Sequence, residues 1–305
     1  MTSTDFLQIK VPASTANLGP GFDSLGLALD LFLTLEVEKN SRWECYSSTE
    51  ELKQFPTDVD HFICRVAIKT ATAHGIELHP CRIELNSEIP LARGLGSSAA
   101  AIVAGIELAD AIGGLNLSRE EKLLHATKWE GHPDNVGASL YGGLVIGRYD
   151  KEKVDLLSIA DLPIEVVTVI PKQILLTKES RDVLPVAYSR EQAVQASATA
   201  NLLVGALLSE NWSLAGKMME QDGFHQPYRK PLIPFYEAIE KAAKRSGAFG
   251  AALSGAGPTI ICFSKEGKGR QLADALAEEF PDMSVKQLSL NKSGSTVKGI
   301  EKYVK

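Results

Sequence analysis

The chain has 305 residues, 44% hydrophobic and 23% charged, with a formal net charge of -6. That length exceeds one small core and fits two packed domains or one large one. No Lys/Arg stripe is present, so nucleic acid is excluded as an expected partner; no apolar run is long enough for a membrane span, and the N-terminus lacks the regions of a signal peptide. Cys45, Cys64, Cys81 and Cys262 stand singly, with no C-x-x-C pair. This argues against a metal knuckle and for reduced thiols in a cytoplasmic protein.

In chain order, "FLQIKVPAS" and "LTLEVEKN" alternate as strands. Residues 59–73 read as a helix with Ile63, Val66, Ala67 and Ala71 on one face, and "CRIELN" as a strand. An Ala-rich helix runs from Ser97 to about Ile112, closed by Gly113 and Gly114. Ser118 caps the next helix, with Glu121 three residues on completing a capping box. "GGLVIGRY" and "IEVVTVIP" read as buried strands, and residues 189–208, 212–220 and 235–246 as helices. "GAFGAALSGAGPTIICFS" reads as strand, Gly-rich turn, strand; a helix over 267–279, a strand near 283–289 and a polar tail follow. Mixed rather than strictly alternating elements favour an α+β fold. The "DKEKVD" charge run and Pro163 mark a boundary near residue 160, giving domains 1–160 and 161–305.

Four stretches carry the chemistry. "PLARGLGSSAAA" (90–101) joins a strand to a helix. Gly94 and Gly96 let backbone N–H groups close on a ligand, Ser97 and Ser98 add hydroxyls, and the helix presents the positive end of its dipole, which together suit phosphate. Its plainer reading is a strand-to-helix turn. A Walker loop is excluded, because the two Gly-Lys pairs continue as Met218 and Gly269. Gly94-x-Gly96-x-x-Ala99 matches the dinucleotide fingerprint, but no acidic strand end follows about 20 residues on.

"PASTANLGPGFDSLGLALD" (12–30) sets Asn17 and Asp23 around a Gly-Pro-Gly turn, either to orient a hydroxyl or amine or as an Asx-type turn and helix cap. "LSGAGPTI" (253–260) brings bare backbone to a ligand or simply makes a tight hairpin. "WEGHPDNVGAS" (129–139) gathers Glu130, His132, Asp134 and Asn135. A carboxylate here could hold Mg²⁺ beside phosphate; the alternative is a surface histidine and a helix cap. His132 has no second His or Cys at metal spacing, which excludes zinc.

Taken together, these stretches resemble the GHMP kinase superfamily. "PLARGLGSSAAA" resembles its phosphate loop and "LSGAGPTI" its C-terminal glycine motif. Within it, "PASTANLGPGFDSLG", "GHPDNVGASLYGG", "LTKESRDVLP" and "QPYRKPLIPFY" are similar to the homoserine kinase family rather than the sugar kinases. The resemblance implies an N-terminal domain like ribosomal protein S5 domain 2, a ferredoxin-like C-terminal domain and an active site between them. It also implies Mg²⁺-dependent transfer of a phosphoryl group from ATP to the side-chain hydroxyl of L-homoserine, in threonine biosynthesis, by a homodimer.

Carried over by position, the resemblance has Pro90, Leu91, Ala92, Arg93, Gly94, Leu95, Gly96, Ser97, Ser98, Ala99 and Ala100, with Gly255 and Gly257, wrap the ATP phosphates. Ser98 and Glu130 would hold the metal. Asn17, Asp23, His132, Asn135, Arg181 and Arg229 would bind the acceptor, the two arginines on its carboxylate. Asp23, Glu130 and Asn135 would serve catalysis, with Asp23 on the reacting hydroxyl and Asp134 as the other candidate base. In "FPTDVDHFIC", Phe62 stands near where relatives place an adenine-positioning Asn. The rival readings are a nicotinamide oxidoreductase, a non-catalytic sensor of an amino acid or nucleotide, and another GHMP kinase acting on mevalonate-pathway or sugar substrates.

Overall fold

The computed structural model describes residues 7–299. The first residue of the expected N-terminal strand, Phe6, and the end of the polar tail, 300–305, lie outside the described residues. Two sheets with helices on their faces give the α+β class.

The first half of the chain contributes β1 (Leu7–Asn17), β2 (Gly21–Lys39), β3 (Glu44–Ser47), α1 (Phe62–Ala73), β4 (Cys81–Ser87), α2 (Ser97–Gly113), α3 (Arg119–Glu130), α4 (Asp134–Tyr141), β5 (Leu144–Tyr149) and β6 (Val154–Ile159). Then come β7 (Ile164–Ile170), α5 (Thr177–Asp182), α6 (Arg190–Leu208), α7 (Trp212–Glu220), α8 (Gln226–Arg229), α9 (Tyr236–Arg245), β8 (Gly250–Leu253), β9 (Ile260–Lys265), α10 (Gly269–Glu279), β10 (Ser284–Leu288) and β11 (Thr296–Lys298).

The larger sheet has seven strands in the order β11-β1-β2-β4-β3, with β5 on β2 and β6 on β5. Strand β2 can serve three partners because it is long: Leu33–Lys39 pair with β4 and Leu25–Leu27 with β5, while β1 runs along its other edge. Leu31, Leu33, Leu35 and Val37 alternate into the core, against partly exposed Phe32, Thr34 and Glu36. Helices α1, α2 and α4 cover one face and bury Ile102, Val103, Ile106 and Leu108. The second sheet, β10-β7-β9-β8, packs α9 and α10 over Val167, Val169, Ile260 and Cys262.

Local signals placed most elements. Ser118 and Glu121 form the expected capping box, and α2 ends at Gly114 in the left-handed region. Other features lie beyond those signals. The "DKEKVD" run falls in the β5–β6 hairpin: Val154 opens β6, whose Leu156 packs against the core. The Asn17–Asp23 stretch caps no helix; it turns between β1 and β2, with Asp23 already in β2. The short helices α5 and α8 have too few residues to show a period, and they carry Arg181 and Arg229. All four cysteines are buried and free, and Cys45 and Cys64 meet with their sulfurs 3.4 Å apart. Among the described residues no helix is long and apolar enough to cross a membrane.

Candidate active site

The glycine loop between β4 and α2 is built against two other segments. Ser14 N–H donates to the Leu95 carbonyl (3.2 Å), Ser254 Oγ donates to the Gly94 carbonyl (2.6 Å), and Gly255 N–H donates to the Ala16 carbonyl (3.1 Å). The close approach explains the glycines. A Cβ on Gly94 would lie 2.2 Å from the Ser254 carbonyl oxygen, and one on Gly96 would lie 2.2 Å from Ser14 Oγ. Gly96 is also the left-handed N-cap of α2 and provides no side-chain cap. The first-turn N–H groups of Ser97, Ser98 and Ala99 therefore have no partner within the helix and face the loop mouth with the positive dipole end. An anion can dock there without further charge.

Around this cradle the cleft is lined by Asn17, Phe22, Asp23, Ala92, Gly94, Gly96, Ser97, Ser98, Glu130, His132, Asp134, Asn135, Arg181, Arg229, Gly255 and Gly257, among others. Non-glycine residues in the left-handed region cluster at its rim: Asn17 (φ 73°), Leu18 (φ 49°), Asp23 (φ 54°) and Ala92 (φ 51°). Such strain persists only where surroundings over-determine the backbone, as at a binding site. Here the Asn17 amide does so, accepting from Asp23 N–H and donating to the Gly255 carbonyl, each at 3.1 Å.

Helix α3 ends at Glu130, and the next turn delivers His132 and Asp134. Burial pushes the Glu130 carboxyl up, and a hydrogen bond from Ser98 works against it. The two oxygens thus sit together beside the cradle, the hard donor set that Mg²⁺ or Ca²⁺ prefers. Burial acts to lower His132, but Asp134, through charge and a very short Nδ1–Oδ1 hydrogen bond, outweighs it with help from Asp23 and Glu130. The imidazole is held up at about 9. Ligand atoms of Asp23, His132 and Asp134 lie within 4.8 Å of one another, so two carboxylates and the imidazole they hold up form one cluster at the cleft. Asn135 Nδ2 donates to Ser14 Oγ (3.0 Å), which leaves its carbonyl oxygen for the cleft.

Arg181 reaches across from α5 and binds Asp23 through both carboxylate oxygens (2.7 and 3.2 Å). Arg229 is 2% exposed; burial and the neighbouring Arg181 lower it to about 10, so it stays charged at neutral pH. Two guanidinium groups at one wall suit a carboxylate.

Some residues expected at the site do not line the cleft. Arg93 turns away to Glu51 and to the Pro171 and Lys172 carbonyls, and Pro90 lies with it in an outer groove. Leu95, Ala99 and Ala100 are core side chains, so only backbone groups of this trio can face a ligand. Beside the glycine loop lies an apolar cavity of about 350 Å³ lined by Leu52, Phe55, Phe62, Ile63, Leu91 and Ala101, among others. Phe22, Ser14, Ser180, Ser254 and His225 also support the site; the first four lie inside the quoted motifs and His225 just before one, but their partners lie far away in the chain and spacing alone gives none of them a role.

The pattern described as the GHMP kinases N terminal domain matches residues 61–143, and that described as GHMP kinases C terminal matches residues 203–282. The chain belongs to the GHMP kinase family. Within that family it is similar along nearly its whole length to homoserine kinases. That of Bacillus licheniformis is 49% identical over 298 residues, covering 97% of both chains. That of Bacillus velezensis is 50% identical over 289 residues, covering 95% of this chain and 94% of its own. The crystal structure of homoserine kinase from Cytophaga hutchinsonii superposes with a TM-score of 0.85 at 29% identity, covering 97% of this chain and 98% of that one. Membership of a kinase family implies that ATP is used.

Proposed function

We propose that the chain is a homoserine kinase, transferring the γ-phosphoryl group of ATP to the side-chain hydroxyl of L-homoserine. The observation that carries the acceptor is the pair of guanidinium groups, Arg181 and Arg229, facing the same cleft as the glycine cradle. They suit an amino-acid carboxylate, which a sugar lacks.

In this reading the first-turn N–H groups of α2 and the backbone of Gly94, Gly96, Gly255 and Gly257 cradle the phosphates, and the apolar cavity with Phe62 takes the adenine. Ser98 and Glu130 hold Mg²⁺, which when bound neutralises charge on the phosphate oxygens. Arg181 and Arg229 hold the acceptor carboxylate; Asn17, His132 and Asn135 line the rest of the acceptor site, and Asp23 orients the hydroxyl. Both candidate bases are already engaged. Asp23 is gripped by Arg181, and Asp134 accepts from His132 and from Asn135 N–H (2.7 Å). A loose phosphoryl-transfer transition state needs little activation of the nucleophile, so the hydroxyl proton leaves late, to a phosphate oxygen.

Residues 1–160 and 161–305 form the two domains in this reading, supported by the split into two sheets, although β11 returns to pair with β1. A cytoplasmic homodimer fits the four free cysteines and the exposed Val194 and Leu202 on one side of α6. The test is ADP release with Mg-ATP on L-homoserine, L-threonine, L-serine, mevalonate and galactose. Turnover on homoserine, lost without Mg²⁺, is expected; turnover only on mevalonate or galactose would discard the acceptor site.

A further inference from the structure

Behind the cleft wall lies a buried polar cluster that no step above uses. His225 is fully buried, and its ring stacks on Phe22 with centroids 5.3 Å apart. Phe22 in turn lies under both guanidinium groups, 5.2 Å from that of Arg229 and 5.6 Å from that of Arg181. Asp222, also buried, accepts from the N–H groups of Phe224, His225 and Gln226 (2.7, 3.1 and 2.6 Å) and so fixes the backbone that carries His225.

The partners of His225 settle its tautomer. Arg229 Nη1 lies 3.2 Å from His225 Nδ1, and an arginine has only donors, so Nδ1 must accept. His225 Nε2 lies 2.8 Å from the Gly19 carbonyl, which only accepts, so Nε2 must carry the proton. A second acceptor, Asp222 Oδ2, is 3.4 Å from Nε2. Burial, with Arg229 acting in the same direction against Asp222, lowers His225 to about 4, in keeping with a neutral ring.

The guanidinium of Arg229 has five N–H groups. Nε donates to the Ser180 carbonyl (3.0 Å), and Nη1 donates to the Gly255 carbonyl (3.0 Å) and to His225. Among the described residues three hydrogens are thus committed, and the two on Nη2 remain for a ligand of the cleft that Arg229 lines. Two of the three acceptors are backbone carbonyls; His225 is the side chain among them.

We propose that His225 is a positioning residue for the acceptor carboxylate: held between the Gly19 carbonyl and Arg229, it fixes the plane of that guanidinium and turns Nη2 into the cleft. The role rests on the reading that Arg229 binds the acceptor carboxylate. It also ties the β1–β2 turn, which leads into Asp23 at the start of β2, to the helix that presents Arg229, so the two ends of the acceptor are held in register.

Two variants separate the role from bulk stability. His225→Phe keeps a ring against Phe22 and deletes both hydrogen bonds; His225→Asn places an amide oxygen near the Nδ1 position and restores the acceptor. For His225→Phe the KM for L-homoserine rises roughly tenfold, as for loss of one hydrogen bond to a charged group, while kcat and the KM for ATP stay within about twofold. His225→Asn recovers most of the homoserine KM. Urea unfolding of each variant shows whether it is folded. An unchanged homoserine KM in folded His225→Phe, a matching loss in ATP KM, or no recovery in His225→Asn overturns the positioning role. Wild-type turnover of homoserine is the control for the underlying reading, and its absence overturns both together. Nitrogen NMR of imidazole-labelled wild-type protein at pH 7 reads the ring directly, whether or not a variant folds: a neutral Nε2–H ring is expected, and an imidazolium or Nδ1–H ring overturns the assignment.

Discussion

Arg181 and Asp23, 158 positions apart, meet across the cleft in a two-pronged ion pair, Nη2 to Oδ1 at 2.7 Å and Nη1 to Oδ2 at 3.2 Å. Each side chain keeps about a third of its surface, 37% for Arg181 and 35% for Asp23. A pair so open to water contributes little to stability, about 1 kcal/mol or less. Its value is positional: it fixes a carboxylate and a guanidinium against each other in the lining of one cavity.

Removing the guanidinium should therefore cost binding rather than folding. Arg181→Met is expected to raise the homoserine KM on the order of tenfold or more, with the urea midpoint nearly unchanged. Arg181→Lys should recover little, because a single ammonium cannot span both oxygens. A full recovery by lysine in steady-state kinetics would mean that charge, not geometry, is what Arg181 supplies.

The two carboxylates proposed as candidate bases should separate by kind of damage. Asp23→Asn is expected to lower kcat roughly a hundredfold while the melting temperature stays put. Asp134→Asn should destabilise the fold by several kcal/mol, because the Asp134 side chain is 1% exposed and its loss leaves His132 without its closest counter-charge. Near-normal turnover for Asp23→Asn would remove the carboxylate from any important role.

Much of this site was legible because its parts are local. The glycine loop declares itself by two glycines, two serines and a helix start within a few residues, and α3 by a capping box three positions long. Other parts act only through distant partners. His225 meets the Gly19 carbonyl 206 positions away, and Ser254 meets Gly94 across 160. Phe22 reads as an ordinary strand residue until both arginines are seen over its ring. The charge run at 150–155 hides the start of β6, because the hairpin turn of β5 and β6 is itself charged and Val154 and Leu156 supply only a short alternation. Arg93 sits inside the phosphate motif, yet its side chain ties the loop to carbonyls at the end of β7.

The close contact of the glycine loop with the C-terminal motif predicts a contrast between two glycines. Gly94→Ala forces a methyl to 2.2 Å from the Ser254 carbonyl at φ 78°, where only backbone can yield. Gly114→Ala, at φ 61°, meets nothing within 4 Å. The second should cost about 1 kcal/mol of left-handed strain, the first at least twice that, with a raised KM for ATP. Equal losses in urea unfolding would show that the loop is free to move away from Ser254.

Acid should weaken the fold through His225. Its folded value, about 4, lies below the ordinary histidine value of 6.5, so the unfolded chain binds the extra proton first as pH falls. The stability it contributes is fully present above pH 6.5 and is lost progressively as pH falls through about 4. Asp222 and Asp23 favour the charged ring, burial and Arg229 oppose it, and opposition wins. Unfolding free energy of the wild type should therefore fall more steeply between those limits than that of His225→Asn, which has no proton to take up there. Parallel curves for the two proteins would mean that the buried imidazole titrates as it does in water, and that the hydrogen bonds to Gly19 and Arg229 do not hold it neutral.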